Sequence, residues 1–259
     1  MAFGKILVLP DIHGRDFWKG ACEDIDSFDK VIFLGDYFDP YDFEGIIVTT
    51  AIENFKEILN LKQYNKDKVV LLLGNHDLPY MFDEYYNLSN YHCRHSEEYH
   101  DAIGGMLRSN AHLFALSCAV DNILFSHAGV QSHWFIETFH HQTTDTNEIS
   151  RLLNTLTDSI EGLRALYRIS YFRGGSDIYG SCVWADVDEM ITNASDSTNP
   201  LREIRQVFAH TLQASYTWNY DIQYGTELEF GNCKMIDTAR PYALDTDSFT
   251  LQLADNRPQ

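Results

Sequence analysis

Side chains that can bind a metal ion follow five separate apolar stretches of the sequence. These side chains are Asp11 and His13, Asp36 and Asp39, Asn75 and His76, His127, and His210. A short apolar run that stops at a turn residue is typical of a strand covered on both faces, and ligands commonly bind where such strands end. Oxygen and imidazole donors without thiolates suit first-row divalent metals such as Mn, Fe or Zn. The pattern therefore predicts a metal site at the ends of several strands.

The spacing of these residues favours a pair of metal ions. Asp11 and His13 stand two residues apart on a chain leaving a strand, so their side chains can point the same way. Asp36 can bridge two metals because a carboxylate has two oxygens with several lone pairs. Asn75 and the two later histidines would complete the second metal. Two metals roughly 3.5–4 Å apart can clamp both oxygens of a phosphoryl displacement and acidify a bound water. The pattern therefore predicts hydrolysis of a phosphate ester.

Strands and helices must alternate to bring the first three of these sites together. Apolar runs predict strands at residues 6–10, 31–34 and 68–73, and helical spacing predicts helices over 17–26 and 44–61. Such alternation implies crossover connections and a mainly parallel sheet.

The second half of the chain is predicted to add strands to this framework. Residues 122–125 and 205–209 have the same strand pattern, and the stretch 226–253 alternates and carries turn residues, as antiparallel strands do. A helix is expected to begin at Asp145, which has Glu148 three residues on.

The length of 259 residues fits one large domain, and neither repeats nor linker-like segments divide the chain. We therefore predict a single domain over residues 1–259. The stretch from about 78 to 107 is rich in Tyr, His, Glu and Asn and has no clean period. It is expected to be a helical or irregular insertion near the site.

Composition limits the class of partner. The formal net charge of −19 argues against broad binding to nucleic acid or to anionic membranes. An acidic protein can still act on a phosphate if metal ions supply the positive charge. The five cysteines are scattered and never form a CxxC pair, which indicates reduced thiols. No apolar run approaches the ~20 residues of a membrane span and the start lacks a signal-peptide pattern, so we expect a cytoplasmic protein.

The motifs around these residues resemble those of the calcineurin-like metallophosphoesterases, which are usually written DxH, GDxxD, GNH(D/E), H(G/A)G and a late histidine. In this sequence they stand, in the family's order, as Asp11-Ile12-His13, Gly35-Asp36-Tyr37-Phe38-Asp39, Gly74-Asn75-His76-Asp77, His127-Ala128-Gly129 and Ala209-His210-Thr211. One block alone occurs by chance in many proteins, but five in order are specific. The resemblance runs from about residue 5 to 240 and leaves 78–107 and 131–172 largely unmatched.

Within the superfamily the chain looks closest to the branch of protein Ser/Thr phosphatases and bis(5'-nucleosyl)-tetraphosphatases. The resemblance implies an α/β fold, a four-layer sandwich of two mixed β-sheets flanked by helices. It implies one metal held by Asp11, His13 and Asp36, and another held by Asp36, Asn75, His127 and His210. It also implies that His76 is the general acid and that Asp39 orients it, since a nearby carboxylate stabilises the imidazolium that donates the proton.

One departure from the family pattern concerns the substrate. Ser/Thr phosphatases carry an arginine after the second aspartate of GDxxD, and this chain has Pro40 there. A phosphate needs a planar cationic fork or its equivalent. Arg173 is the first candidate, followed by Arg15 and then Arg202.

Three functions compete at this point. The first is a dinuclear phosphoesterase that hydrolyses a phosphomonoester by attack of metal-bound hydroxide, with protein phosphoserine or phosphothreonine as one candidate substrate. The second is a hydrolase of nucleotide phosphoanhydrides such as diadenosine tetraphosphate, with aromatic residues from 80–99 stacking on a base. The third is a non-enzymatic scaffold with the same fold. Oligomeric state is left open by the sequence.

Overall fold

The computed structural model describes residues 4–89, 93–216 and 222–254. The strands are β1 Lys5–Leu9, β2 Lys30–Phe33, β3 Val69–Leu72, β4 Phe114–Ala115, β5 Ser117–Val120, β6 Ile123–Ser126, β7 Arg205–Phe208, β8 Ala214–Tyr216, β9 Ile222–Tyr224, β10 Leu228–Phe230, β11 Cys233–Met235, β12 Tyr242–Asp245 and β13 Thr250–Leu253. The helices are α1 Trp18–Cys22, α2 Val48–Tyr64, α3 Leu78–Met81, α4 Asp83–Ser89, α5 His100–Ser109, α6 Ser132–Phe139, α7 Thr146–Asn154, α8 Ile160–Leu166 and α9 Val187–Ser195. Within these ranges, none of the helices is both long and apolar enough to span a membrane.

Two mixed sheets form the framework, which confirms the predicted fold class. One has six strands in the order β13-β12-β1-β2-β3-β4, with β1 to β4 parallel and β12 and β13 antiparallel. The other has five strands in the order β10-β11-β7-β6-β5, in which β11, β7 and β6 run parallel. A separate antiparallel pair is formed by β8 and β9.

Alternate residues of the central strands face two different cores. In β1, Ile6 and Val8 pack between the two sheets, against residues such as Phe125 and Val207 of the second sheet. Leu7 and Leu9 point the other way and pack with the apolar face of α2. Because both faces are covered, these strands read as continuous apolar runs. Helices α7 and α9 pack on the second sheet, which completes the layered arrangement.

The register of the parallel strands brings their ends to one edge. Leu9 lies opposite Phe33, and Phe33 lies opposite Leu71. The three chains therefore leave the sheet side by side, where the residues that follow can meet.

Several helix boundaries differ from those expected. The predicted helix over 44–61 begins only at Val48, because residues 42–44 form a 3-10 turn that ends at Gly45 with φ 66°. The predicted helix over 17–26 covers only α1, and a second 3-10 turn follows it. The helix expected at Asp145 is confirmed, since the Asp145 side chain accepts hydrogen bonds from the amides of Asn147 and Glu148.

Candidate metal centre

The turns after five strands meet around a cavity of about 130 Å³. It is lined by Asp11, His13, Asp36, Tyr41, Asn75, His76, Arg94, Arg173, Trp184 and His210. Strands β1, β2 and β3 deliver the first three motifs, and β7 delivers His210. His127, which ends β6, is fully buried behind these residues.

Four residues of these turns have left-handed backbone conformations that are rare for residues other than glycine. The φ angles are 43° at His13, 53° at Asp36, 57° at Asp39 and 72° at His210. Such conformations cost energy and concentrate at functional sites. The surrounding contacts hold them, since the His13 amide donates to the Asp36 carbonyl at 2.6 Å.

Asp77 joins two of the turns. Its buried carboxylate accepts hydrogen bonds from the amides of Asp36 at 2.8 Å, Tyr37 at 3.0 Å and Gly74 at 2.8 Å. The approach is so close that a Cβ on Gly74 would lie 2.1 Å from Oδ1 of Asp36. Only glycine therefore fits at position 74 without moving the carboxylate.

Backbone carbonyls fix the orientation of two histidines. His13 Nδ1 lies 2.6 Å from the Phe38 carbonyl, and His127 Nδ1 lies 2.9 Å from the Leu34 carbonyl. A carbonyl only accepts, so each Nδ1 carries the proton and each Nε2 keeps a lone pair. Both Nε2 atoms face the carboxylate of Asp36. The distance to its Oδ2 is 3.6 Å from Nε2 of His13 and 3.5 Å from Nε2 of His127.

Several side chains that can donate a lone pair to a metal converge around His127. Its Nε2 lies 2.9 Å from Oδ1 of Asn75 and 3.1 Å from Nδ1 of His210. His210 Nε2 is buried and has no hydrogen-bond partner within the described residues. A shared cation stabilises such a set of donors, so these residues fit a divalent metal.

Two groups of donor atoms share one carboxylate. His13, Asp36 and His76 have donor atoms within 4.8 Å of one another, and so do Asp36, His127 and His210. Asp11 adjoins both groups, since its carboxylate lies 3.9 Å from His13 Nε2 and 3.6 Å from His127 Nδ1. The six residues predicted as metal ligands thus lie together.

Burial shifts the pKa values of three residues in this cluster. It lowers the pKa of His13 well below the ordinary value, with added repulsion from His76 and the arginines nearby. Burial and then the Arg173 cation lower the pKa of His210 in the same direction. Burial raises the pKa of Asp11 to about 6, where Asp36 adds to the effect and His127 opposes it. Neutral imidazoles and mutually repelling carboxylates are what a cation would bind.

His76 lies at the rim of the cluster in contact with a carboxylate. Its Nδ1 is 2.9 Å from Oδ2 of Asp39 and 3.1 Å from the carbonyl of Arg94. The Tyr80 hydroxyl donates to Oδ1 of Asp39 at 2.5 Å. With Nδ1 engaged by acceptors, Nε2 is the ring nitrogen left to act in the cavity.

The three candidate arginines occupy different places. Arg173 lines the cavity, donates to the His210 carbonyl at 3.2 Å and lies 3.5 Å from Oδ2 of Asp186. Arg15 is buried, pairs with Glu44 at 2.6 Å and does not line the cavity. Arg202 is exposed on the surface and does not line it either.

Three residues of the site were missed by the sequence reasoning. Asp237 is buried beside Asp11 and Arg15, and burial raises its pKa well above the ordinary value, with Asp11 adding to the rise. It stands two residues after β11, whose central residue is Lys234, so the apolar run that marks the other carboxylates is weak there. Arg94 and Tyr80 lie in the segment 78–107, where no motif or period marks them.

Comparisons with known proteins agree with this geometry. A sequence model of the family described as Calcineurin-like phosphoesterase matches residues 4–188, more than half of the chain. A solved protein serine/threonine phosphatase from Saccharomyces cerevisiae, with similarity to human phosphatase PP5, has a TM-score of 0.50 at 16% identity, covering 99% of this chain and 82% of its own. That likeness shows the fold.

A provisionally assigned diadenosine tetraphosphatase has a TM-score of 0.47 at 13% identity, covering 96% of this chain and 92% of its own. The search of curated protein sequences gives no match.

Proposed function

Because this chain belongs to the calcineurin-like phosphoesterase family, we propose that it is a dinuclear metal-dependent hydrolase of phosphomonoesters. The observation that carries the proposal is the position of Asp36, whose carboxylate belongs to both groups of donor atoms. A shared carboxylate is what a pair of metals needs in order to sit close together.

The proposed ligands follow from the donor groups. One metal would be held by Asp11, His13 and Asp36, and the other by Asp36, Asn75, His127 and His210. Two bound metal ions supply positive charge that polarises the phosphoryl group and lowers the pKa of a coordinated water.

The residues of the chain perform the remaining steps. His76 donates a proton from Nε2 to the oxygen of the leaving group, while Asp39 holds Nδ1 at 2.9 Å and so keeps the ring in place. Tyr80 fixes the other oxygen of Asp39. Arg173 reaches the cavity from the side of His210 and is proposed to hold the phosphate there.

The groove beside the cavity favours a phosphomonoester over a nucleotide polyphosphate. It has a volume of about 620 Å³, shares Arg94 with the cavity and is also lined by Asp39. Its other walls include Pro40, Ile46 and Val48, and they carry the carboxylate of Asp42. The carboxylates of Asp39 and Asp42 would repel a chain of phosphates, and the groove lining includes one arginine, Arg94, to offset that repulsion. An uncharged leaving group would not be repelled.

Base stacking, which the nucleotide alternative needs, has little support in the segment 78–107. Tyr80 and Tyr85 are fully buried, so their faces are not available to a ligand. Tyr99 does line the groove, and Tyr91 lies outside the described residues. The scaffold alternative is disfavoured because every predicted ligand position holds a residue that can bind metal.

Metal removal tests the proposal. We expect a chelator to abolish hydrolysis of p-nitrophenyl phosphate and added Mn²⁺ to restore it, with about two metal ions per chain measured by elemental analysis. A panel of phosphopeptides, sugar phosphates and dinucleoside polyphosphates then separates the substrate classes. Full activity in metal-free protein would contradict the proposal, and preference for dinucleoside polyphosphates would favour the alternative.

Three finer features are also proposed. The oxygen and imidazole donors suit Mn, Fe and Zn alike, and manganese is proposed as the native metal. A cytoplasmic location is proposed because all five cysteines are free. The chain is also proposed to form a single domain over residues 1–259 with the segment 78–107 as an insertion.

A further inference from the structure

Arg94 lies at the boundary between the metal cavity and the groove. Its side chain lines both of them, and it is half-buried. Pro40, which occupies the position of the usual phosphate-binding arginine, lines the same groove. A guanidinium is therefore present near the place where the family pattern lacks one.

The guanidinium is held rigidly by neutral groups. Nε and Nη2 donate to the backbone carbonyl of Asp39 at 3.2 Å and 3.1 Å. The Cζ atom lies 3.6 Å from the centre of the Tyr41 ring, a cation–π contact. Nη2 also lies 3.4 Å from Nε2 of His13, which places the cation next to the proposed metal ligands.

The backbone around Arg94 is fixed as well. The Sγ of Cys93 lies 3.5 Å from the Asn75 carbonyl, and the amide of Ser96 donates to the Tyr80 hydroxyl at 2.8 Å. The first contact ties the segment 78–107 to the turn that carries Asn75, and the second joins two parts of the segment itself. A preorganised side chain loses less freedom when it binds a ligand.

What distinguishes Arg94 from the other arginines near the site is its lack of a carboxylate partner. Arg15 pairs with Glu44 at 2.6 Å, and Arg173 lies 3.5 Å from Asp186. Within the described residues no carboxylate pairs with Arg94, whose side chain contacts the Asp39 carbonyl, His13 Nε2 and the Tyr41 side chain. A half-buried guanidinium without a counter-ion is suited to an anion from outside the chain.

We propose that Arg94 binds the phosphoryl group of the substrate, with its guanidinium donating to a phosphoryl oxygen at the mouth of the cavity. The segment 78–107 thereby supplies the guanidinium that Ser/Thr phosphatases carry at the position of Pro40. This inference rests on the proposed phosphoesterase function. It adds a second cation, besides Arg173, to the residues that line the cavity, so that two guanidinium groups can contact the phosphate.

Binding of orthophosphate to the Mn²⁺-loaded protein tests the assignment directly. In isothermal titration calorimetry, Arg94→Ala is expected to weaken orthophosphate binding about 10- to 100-fold, the range for loss of a charged hydrogen bond. KM for p-nitrophenyl phosphate should rise by a similar factor, and Arg94→Lys should be intermediate because it keeps charge without the fork. Arg164→Ala, an exposed arginine on α8, is the matched control and should change neither.

The affinity for Mn²⁺ separates binding from a purely structural role. It should not fall in Arg94→Ala or Arg94→Lys, because Arg94 is not a proposed ligand and its own cation lies next to Nε2 of His13. Orthophosphate affinity within about 2-fold of the parent in both folded variants would overturn the assignment and leave the phosphoesterase proposal standing. Equal losses of Mn²⁺ and orthophosphate affinity would overturn it too. A parent chain that binds orthophosphate but hydrolyses no ester would refute the proposed function instead.

Discussion

The strand-end turns and the segment 78–107 meet at one cavity but are built differently. The turns follow strands that are buried on both faces, and their left-handed residues are fixed by backbone hydrogen bonds. The segment lies outside both sheets and reaches the site through a few side chains, chiefly Tyr80 and Arg94. The turns are suited to hold metal, and the segment is suited to orient the substrate and the acid. Mutations in the two regions should therefore fail in different ways.

The largest loss is expected for Asp36→Asn, in the strand-end turns. Replacing the shared carboxylate with an amide should remove at least one metal and lower kcat about 10³-fold or more, since metal contributes several kcal/mol to catalysis. Elemental analysis and steady-state kinetics measure both effects. Asp67→Asn, an exposed carboxylate after α2, is the control. Normal metal content together with normal turnover would contradict the assignment of the strand-end turns as the metal site.

A smaller and substrate-dependent loss is expected for His76→Ala. Loss of a general acid should lower kcat about 10²- to 10⁴-fold for an alkyl phosphate. The effect should be much weaker for p-nitrophenyl phosphate, whose leaving group needs little protonation. His112→Ala, an exposed histidine, serves as the control. Equal losses for the two substrates would show that His76 acts as a metal ligand, the role that its place in a donor group also permits.

The smallest effect is expected for Tyr80→Phe, in the segment 78–107. The variant loses the hydroxyl that donates to Asp39 and accepts from the Ser96 amide. Unfolding free energy should fall by about 1–3 kcal/mol, as for a buried hydrogen bond left unpaired, and kcat should fall by up to about 10-fold. Chemical denaturation and kinetics measure these changes, with exposed Tyr64→Phe for comparison. A loss as large as that of Asp36→Asn would erase the distinction between the two regions.

The same distinction explains what could be predicted from the sequence. The strand ends are local patterns, because the apolar run and the ligand that follows it are adjacent in the chain. The paired sheets and the meeting of Asp11, Asp36 and Asn75 could therefore be anticipated from parallel strand order. The contact of Arg94 with Asp39 joins residues 55 apart across a segment without periodicity. No local rule predicts such a contact.

Asp237 shows a different limit, because it follows a strand whose apolar pattern is weak. It follows the short strand β11, whose three residues give a weak apolar signal in a stretch expected to be antiparallel strands. In the structure β11 pairs antiparallel with β10, as expected, and also runs parallel to β7, which brings its end to the same edge as the metal centre. The direction of a strand, more than the type of the residue after it, determines which carboxylates lie at the site.

The chain leaves the six-stranded sheet after β3 and returns at β4, a strand of two residues at the edge of that sheet. Within this stretch, the described residues of the segment 78–107 take no part in the hydrogen-bonded ladders, and Asn75 and His76 precede that segment. Exchange of the segment is therefore expected to alter which esters the protein selects without replacing a proposed metal ligand. Substrate choice could then change while the metal-binding turns stay the same.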